Sequence, residues 1–375
     1  MVCMKVALLI FPIHYSHGCI LQTFALYSKL KDLGCQVTIL DRQPAQIPLY
    51  RVIIRGAKLL VKRFITGYRG AIFYRGWYPK SIMAEQESFI NSFSHDLISV
   101  HSTEELKKAV DKGQYDAIVV GSDQTWRPCY VPNVMDYWLD FVSDKSLKRI
   151  AYAPSFGVDS WEYSDCQTKR CSELAALFDR ISVREVSGVK LCKEHLCADA
   201  FHVIDPTMLW KEDFYSPFAA LHSMPSGGCH CYFLDDSNEK KHIAELVALE
   251  KGLEVRYINT RTEDDMSPIK DRIAPSIEKW LAGFMFGDFI VVDSFHAMVF
   301  SIIFQKPFIV IGNCERGLAR FESLLGELDL KDRLVTSISD VSKVLEKTIC
   351  WDKVNGKLNT LREDSSNFLV EALKP

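Results

Sequence analysis

Residues 289–303 constrain the fold of this chain more than any other stretch. Four apolar residues at 289–292 (Phe-Ile-Val-Val) predict a buried β-strand, and the apolar run that closes the stretch predicts a helix. Asp293 and Ser294 lie between them and are residue types that cap helices, so the expected order is strand, tight turn, helix. This order places His296 in the first turn of the helix, at the carboxyl edge of a sheet.

His296 is therefore a candidate for proton transfer. Free backbone N–H groups at the start of a helix favour anions and disfavour a charged imidazole. A largely neutral histidine beside an anion can accept or donate a proton near neutral pH. The alternative interpretation is a histidine that only packs at a helix start.

Apolar runs alternate with amphipathic stretches along the chain, which predicts an α/β fold with parallel sheets. In the first half, strands are expected at residues 5–11, 37–40, 115–120, 149–153 and 181–184. Pro206 breaks the pattern, and the alternation then restarts with a strand at 231–234. We predict two doubly wound, Rossmann-like domains that face a cleft, at residues 1–205 and 206–350. A helix in residues 351–375 is expected to pack back on the first domain.

The composition narrows the class of protein. The 375 residues are 48% hydrophobic and 25% charged, which is typical of a globular protein. A net charge of -3 argues against a general nucleic-acid binder. No apolar run approaches the roughly 20 residues that a membrane-spanning helix needs. The 12 cysteines are scattered without a C-x-x-C pair, so they indicate reduced cytosolic thiols and no catalytic metal.

Polar residues follow the predicted strands of the first half, where open α/β sheets hold ligands. Residues 121–126 (Gly-Ser-Asp-Gln-Thr-Trp) form one such loop, and the indole of Trp126 could wall a sugar. Gly18, before a predicted helix at 20–33, would let the backbone approach a ligand. It is not part of a G-x-G-x-x-G motif, so a dinucleotide site is not expected. The alternative for residues 121–126 is a purely structural turn. The alternative for the segment around Gly18 is a plain connector between a strand and a helix.

Three arginines follow predicted strands and are candidates for anion binding. Arg184 ends the strand at 181–184, where its guanidinium could bind a carboxylate or phosphate through two nitrogens. Arg316 and Arg320 follow a strand at 308–311 and could hold an anion opposite His296. The alternative for Arg184 is a surface ion pair with Glu185. The alternative for Arg316 and Arg320 is that both are solvated on the surface.

Residues 42–84 contain no Asp or Glu. Within them, four cations fall on one stripe of a predicted helix: Arg51, Arg55, Lys58 and Lys62. Apolar residues such as Phe64 fall opposite. A basic amphipathic helix with aromatic neighbours is typical of a protein that lies on an anionic membrane surface. The alternative is an ordinary surface helix packed on its own domain.

Several segments together resemble the polysaccharide pyruvyl transferase family. These segments follow the family's order between residues 5 and 335. They are residues 18–33 with their Leu-Gln pair, 120–126 (Val-Gly-Ser-Asp-Gln-Thr-Trp), 151–157 (Ala-Tyr-Ala-Pro-Ser-Phe-Gly), 182–185 (Ser-Val-Arg-Glu), 204–207 (Ile-Asp-Pro-Thr) and 293–296 (Asp-Ser-Phe-His). The resemblance implies a glycosyltransferase-B-like pair of Rossmann-type domains. It also implies transfer of pyruvate from phosphoenolpyruvate to sugar hydroxyls as a ketal, without a further cofactor, on glycans that are often lipid-linked at the cytoplasmic membrane face.

The resemblance also implies roles for individual residues. The family's active-site histidine falls on His296 and a phosphoenolpyruvate-binding arginine on Arg184. Well-studied members carry Arg-Leu-His where this chain carries Ser-Phe-His, so a replacement cation is needed. We expect the donor site to comprise Arg184, Ser294, Phe295, Arg316 and Arg320. We expect the acceptor site to comprise Gly18, Gln22, Ser122, Asp123, Gln124, Trp126 and Asn313.

Two other functions remain open at this point. A nucleotide-sugar glycosyltransferase could use the same architecture and would bind a nucleoside diphosphate. A non-catalytic glycan-binding protein would bind sugar without consuming phosphoenolpyruvate, and its Ser-Phe-His turn would serve packing alone.

Overall fold

Parallel strands form two separate sheets in the computed structural model, which describes residues 4–76, 78–235, 237–312 and 317–374. Within these residues the first sheet has the order β3-β2-β1-β4-β5-β6-β7. Its strands are β1 (Lys5–Ile10), β2 (Gln36–Arg42), β3 (Leu97–Val100), β4 (Ala117–Val120), β5 (Lys148–Ala151), β6 (Arg180–Val183) and β7 (Phe201–His202). The order steps outward in both directions from β1 and β4, so a crevice opens at their carboxyl ends.

The second sheet has the order β12-β11-β10-β8-β9 within the described residues. Its strands are β8 (Cys229–Tyr232), β9 (Val255–Tyr257), β10 (Phe289–Val292), β11 (Phe308–Ile311) and β12 (Leu334–Val335). The predicted strand at 289–292 is β10, and it pairs with β8 on one side and β11 on the other. Its four residues are all buried, because helices cover both faces of a parallel sheet.

Helices connect the strands in both halves. They are α1 (His17–Asp32), α2 (Leu49–Thr66), α3 (Glu87–Asn91), α4 (Thr103–Gly113), α5 (Val134–Tyr137), α6 (Asp165–Ala175), α7 (Val186–Leu196), α8 (Glu212–Ala219), α9 (Asn238–Lys251), α10 (Ile269–Arg272), α11 (Ile277–Phe286), α12 (Phe295–Ile303), α13 (Ala319–Glu327), α14 (Val341–Leu345) and α15 (Trp351–Ala372). The predicted α/β class with two Rossmann-like domains is confirmed.

The first helix begins earlier than the sequence pattern predicted. We expected a polar turn up to residue 19 and a helix from residue 20, but α1 starts at His17. Ser16 is its N-cap, and its side chain accepts a hydrogen bond from the N–H of Cys19. The cap signal is present in the sequence, but the polar residues around it obscured the helix start. Gly18 consequently lies inside the first turn.

The last helix returns to the first half of the chain. The helix predicted within residues 351–375 is α15, which runs from Trp351 to Ala372. The Ser365 hydroxyl accepts a hydrogen bond of 3.1 Å from the N–H of Ile204, and the Phe368 ring contacts Phe201. These contacts join the C-terminal helix to the end of the first sheet.

One apolar cluster extends across both halves. It includes Leu8 of β1, Val292 of β10, Phe300 of α12 and Leu369 of α15. The two domains are therefore packed on each other through side chains that are buried from solvent, and this fixes the geometry of the cleft. In the described ranges, no helix combines the length and hydrophobicity required to span a bilayer.

Candidate functional site

The turn between β10 and α12 is held by Asp293 and not by a capping bond. The Asp293 carboxylate accepts hydrogen bonds from the N–H of Leu234, at 2.7 Å, and from the Lys240 ammonium, at 2.6 Å. Ser294 occupies the N-cap position, but its side chain makes no capping hydrogen bond. The predicted cap chemistry at these two residues was therefore wrong. Within the described residues no side chain therefore caps the first N–H groups of α12, and N–H groups at a helix start favour anions.

His296 lies in the first turn of α12, as the sequence predicted, and it is 7% exposed. Its Nε2 is 3.4 Å from Oδ2 of Asp205, which belongs to the Asp-Pro-Thr segment before α8. The other side of the ring faces Gly18 in α1, where a Cβ would lie 2.1 Å from the imidazole Nδ1. Gly18 thus makes room for this imidazole rather than for a ligand.

Asp205 is the residue on which the site converges, and sequence reasoning gave it no role. Its Oδ2 accepts a 2.7 Å hydrogen bond from Arg184, and its Oδ1 accepts hydrogen bonds from the N–H and hydroxyl of Thr207. Burial alone would raise the pKa of Asp205, but His296, Arg184 and Thr207 together hold it well below its ordinary value. The ionised Asp205 thus places negative charge 3.4 Å from Nε2 of His296.

Arg184 bridges two carboxylates at the carboxyl end of β6. Besides Asp205, its guanidinium is 3.5 Å from Oδ1 of Asp123. The guanidinium also lies over the ring of Phe295, with 4.8 Å between its carbon and the ring centroid. The side chain of Arg184 is 1% exposed, so each of these contacts acts in a largely desolvated environment.

Arg320 approaches the same aromatic ring from the second half. Its guanidinium carbon is 5.5 Å from the Phe295 centroid, and the residue is buried. Burial and repulsion by Arg184 lower the pKa of Arg320 to about 10. Among the described residues no carboxylate lies within ion-pair distance of it, and its Nε has no hydrogen-bond partner. Two arginines thus meet at the ring of one phenylalanine.

The position of Arg320 is fixed by the docking of α13 on the first half. The Ser323 hydroxyl, one turn further along α13, accepts a 3.0 Å hydrogen bond from the N–H of Val186 in α7. A Cβ on Gly317, just before α13, would lie 2.4 Å from the carbonyl oxygen of Gly157. The expected site residues Asn313 and Arg316 lie outside the described residues.

The loop after β4 contributes Asp123 to the site. Asp123 adopts φ +71°, and its Oδ2 accepts a 3.2 Å hydrogen bond from the Gln22 amide. Burial would raise the pKa of Asp123, but Arg184, His296 and Arg320 lower it below its ordinary value. The expected acceptor residue Asp123 therefore serves as a counter-ion to the cationic side chains. Gln22 lies beside it, and its Oε1 is buried without a partner among the described residues.

Other residues of this loop are engaged within the protein. The Ser122 hydroxyl donates to the backbone carbonyl of Ala153 at 2.8 Å, and the side-chain Oε1 of Gln124 accepts from the Arg127 guanidinium at 3.1 Å. Trp126 is fully buried, stacks on Trp138 with centroids 3.9 Å apart, and donates its N–H to a backbone carbonyl. The expectation that Trp126 walls a sugar was therefore wrong, because its indole is part of the core.

Two further polar residues near the site carried no role in the sequence prediction. The buried Glu185 accepts hydrogen bonds from the N–H groups of Phe156 and Gly157 and so fixes the loop after β5. His14 lies at the rim, in the loop before α1, and its Nδ1 is 3.0 Å from the carbonyl oxygen of Pro12. Burial lowers the pKa of His14, although the charge of Asp123 opposes this shift.

His17 connects the two domains beside the site. Its Nε2 is 2.8 Å from the carbonyl oxygen of Pro275, and its ring stacks on Trp280 with centroids 5.1 Å apart. Burial lowers the pKa of His17 from 6.5 to about 4. Between these pH values the unfolded chain binds a proton that the folded protein excludes, so stability is lost as the pH falls through this window.

We expect His17→Gln to reduce this acid sensitivity. On going from pH 7 to pH 5, the free energy of unfolding of the wild type should fall by about 2 kcal/mol more than that of the variant. Urea unfolding at the two pH values measures the difference, and the other buried histidines cancel because both proteins contain them. An equal loss in both proteins would show that His17 is not the titrating group.

The described residues contain no cluster of three or more side chains suited to a metal ion. A cavity of about 590 Å³ lies at the opposite end of α12 from His296, lined by residues that include Ile303, Asn355 and Arg362. Its lining includes none of the charged groups that meet at Asp205.

Several solved structures are similar to this chain. A UDP-N-acetylglucosamine 2-epimerase from Rickettsia bellii is 10% identical over 98% of this chain and 96% of that chain, with a TM-score of 0.51. The enzyme of the same name from Neisseria meningitidis bound to UDP-GlcNAc is 10% identical over 99% of both chains, with a TM-score of 0.49. Spinosyn forosaminyltransferase SpnP is 11% identical over 97% of this chain and 95% of that chain, with a TM-score of 0.46.

At such low identity these similarities concern the fold alone, which is the glycosyltransferase-B-like pair of domains that the sequence predicted. No curated protein sequence matches the chain. The family described as polysaccharide pyruvyl transferase matches residues 17–315. That range contains Arg184, Asp205 and His296, the three residues that meet at one buried carboxylate. Since the match covers most of the chain, this protein belongs to the polysaccharide pyruvyl transferase family, a family of transferases.

Proposed function

We propose that this protein transfers pyruvate from phosphoenolpyruvate to two hydroxyls of a sugar and forms a ketal, in the synthesis of a cell-surface polysaccharide. The observation that carries the proposal is the meeting of Arg184 and Arg320 at the ring of Phe295. Phosphoenolpyruvate carries a phosphate and a carboxylate, so a pair of guanidiniums beside the free N–H groups of α12 suits it. Arg320 then supplies the cation that Ser294 does not.

The proposed reaction begins with protonation of the methylene carbon of phosphoenolpyruvate by His296. The second carbon becomes oxocarbenium-like, and a sugar hydroxyl attacks it. Phosphate then leaves, and the second hydroxyl closes the ring. One of the two hydroxyl protons returns to His296 and replaces the proton that the imidazole delivered to the methyl group. The other hydroxyl proton leaves with the phosphate. Asp205 supplies negative charge beside the imidazole, and the buried guanidiniums stabilise phosphate as charge builds on it.

The acceptor in this proposal is a glycan, and more specifically an oligosaccharide that is linked to a lipid. Gln22 lies beside Asp123 with a buried carbonyl oxygen that has no partner among the described residues, so it is the strongest candidate to bind a sugar hydroxyl. Phosphoenolpyruvate is a cytoplasmic metabolite. We therefore propose that the reaction takes place in the cytoplasm, at the inner face of the cytoplasmic membrane, with no cofactor besides the co-substrate.

The reaction is tested by incubating the protein with phosphoenolpyruvate and a panel of lipid-linked and free oligosaccharides. We expect phosphate release together with a new methyl singlet in the proton NMR spectrum of the sugar, which is the signature of a pyruvate ketal. Phosphate release without the methyl signal would contradict the proposal. If the protein instead consumes a nucleotide sugar when it is incubated with the same panel of acceptors, the result would identify a glycosyltransferase.

Arg320→Met is expected to abolish donor binding. A concentration of phosphoenolpyruvate that is about 100-fold above the dissociation constant should stabilise the wild type by about 2.7 kcal/mol, and the variant should show little of this effect. Thermal unfolding with and without phosphoenolpyruvate measures it. Lys331→Met removes an exposed cation after the same helix and should behave as the wild type. Full stabilisation of the Arg320 variant would exclude Arg320 from the donor site.

A further inference from the structure

Helix α2 exposes a broad apolar face to solvent. Only Val52 and Gly56 are buried in this 18-residue helix. Phe64 is 87% exposed and Ile65 is 77% exposed. Six more apolar or aromatic side chains on α2 are exposed, namely Leu49, Tyr50, Ile53, Ile54, Leu60 and Val61. A continuous apolar surface of this kind usually marks an interaction site.

Cations border this apolar face along one side of the helix. At 100° per residue, the exposed apolar side chains cover nearly half of the helix circumference, and Arg51, Lys58 and Lys62 follow directly next to them. All three are exposed. Arg55 differs from the expected stripe, because its guanidinium stacks on Tyr74 at 3.8 Å and donates to the carbonyl of Gly76. The sequence from residue 42 to residue 84 adds no negative charge.

The following loop holds α2 in place on its other side. The Arg63 guanidinium donates hydrogen bonds to the carbonyls of Tyr68 and Gly70, at 3.2 and 3.1 Å. Gly56 admits the ring of Phe73, since a Cβ there would lie 2.1 Å from it. The helix is therefore fixed with its apolar face outward, and this face finds no cover within the described part of its own chain.

The pattern of charge selects a lipid surface over a second copy of the chain. Two copies of α2 packed face to face would bring their cation rows together if antiparallel, which costs energy, and would leave both rows without negative partners if parallel. An anionic bilayer satisfies apolar and cationic side chains at once. The length of α2, about 27 Å, suits a helix lying in the plane of the interface. We propose that α2 binds the protein to an anionic membrane surface, with Phe64 and Ile65 inserted among the lipids.

The same helix is linked to the cleft. It follows β2 at the carboxyl edge of the first sheet, where Asp123 and Arg184 also lie. After α2 the chain returns to the loop before α1, where the Tyr78 hydroxyl donates to the carbonyl of Ile13 at 3.1 Å. Docking through α2 would therefore bring the entrance of the cleft near the membrane. Binding of α2 to lipid does not depend on the proposed pyruvyl transfer. An experiment can therefore contradict one of the two proposals and leave the other intact.

Flotation of the full-length protein with lipid vesicles tests the proposal. We expect binding to vesicles of phosphatidylcholine mixed with phosphatidylglycerol, little binding to phosphatidylcholine alone, and weakening by salt. Phe64→Ser with Ile65→Ser should reduce the partition coefficient at least about tenfold through lost apolar burial. Lys58→Gln with Lys62→Gln should reduce it roughly thirtyfold, because each cation near an anionic surface contributes about a fivefold factor.

Matched controls lie elsewhere on the surface. Leu221→Ser with Leu249→Ser removes two apolar side chains that are 75% and 80% exposed, and Lys107→Gln with Lys108→Gln removes two exposed cations of α4. Both should bind vesicles as the wild type does. Equal binding to neutral and anionic vesicles, or unchanged binding of the α2 variants, would overturn the proposal. A dimer in sedimentation velocity that the Phe64 and Ile65 changes dissociate, without vesicle binding, would assign the face to a second copy.

Discussion

Replacing His296 by alanine is expected to reduce turnover by about 10²- to 10⁴-fold, the usual contribution of a positioned proton-transfer group. The expected reason is loss of the imidazole that protonates the methylene carbon and whose Nε2 lies 3.4 Å from Asp205. Binding of phosphoenolpyruvate should change little, because the guanidiniums of Arg184 and Arg320 remain. Ketal formation measures turnover, and donor-dependent thermal stabilisation measures binding.

Two further variants make this test specific. His296→Gln keeps a polar side chain next to Asp205 but cannot transfer a proton, so it should be as slow as the alanine variant. His242→Ala removes a histidine whose side chain is 69% exposed in the second half and should leave turnover unchanged. Equal rates for wild type and His296→Ala would remove His296 from the mechanism.

Arg184→Met is expected to cost about 3–5 kcal/mol of folding free energy, because it leaves two buried carboxylates without their cation. The side chain of Asp205 is fully buried and that of Asp123 is 12% exposed, so solvent cannot replace the guanidinium. Urea unfolding measures the loss. Adding Asp205→Asn to the variant should restore part of it, because the uncompensated charge is then removed. Lack of any rescue would mean that Arg184 acts mainly through packing.

The depressed pKa values of Asp205 and Asp123 add a pH dependence to this prediction. Both carboxylates contribute stability that is present above their ordinary pKa values, roughly 4, and is lost as the pH falls toward their lower values in the folded protein. The acid unfolding of the wild type should therefore be steep below about pH 4. Without Arg184 the largest cause of the lowered pKa of Asp123 is gone, and so is one cause beside His296 for Asp205, so the transition should move to higher pH.

The fold could be predicted largely because its signals are local. β10 reads as four apolar residues because both of its faces are covered, and the turn that follows it places His296 one residue inside α12. The helix start at His17 was missed because the polar residues of the first turn resemble a loop.

The candidate site was harder to predict because burial and pairing are tertiary properties. The sequence placed Trp126 correctly after a strand, but it could not show that the indole turns inward onto Trp138. It named Arg320 only as one of two cations after β11, and the docking of α13 decides that this one reaches Phe295. The role of Asp205 depends on its contacts with Arg184 and His296 from two distant segments, so a single Asp-Pro-Thr motif could not reveal it.

We expect phosphoenolpyruvate to bind in the cleft between Arg184, Arg320 and the start of α12. Isothermal titration of the wild-type protein with phosphoenolpyruvate, and separately with UDP, tests it most directly. We predict saturable one-to-one binding of phosphoenolpyruvate that Arg320→Met removes, and no binding of UDP. Binding of UDP without binding of phosphoenolpyruvate would contradict the account and would assign the cleft to a nucleotide sugar.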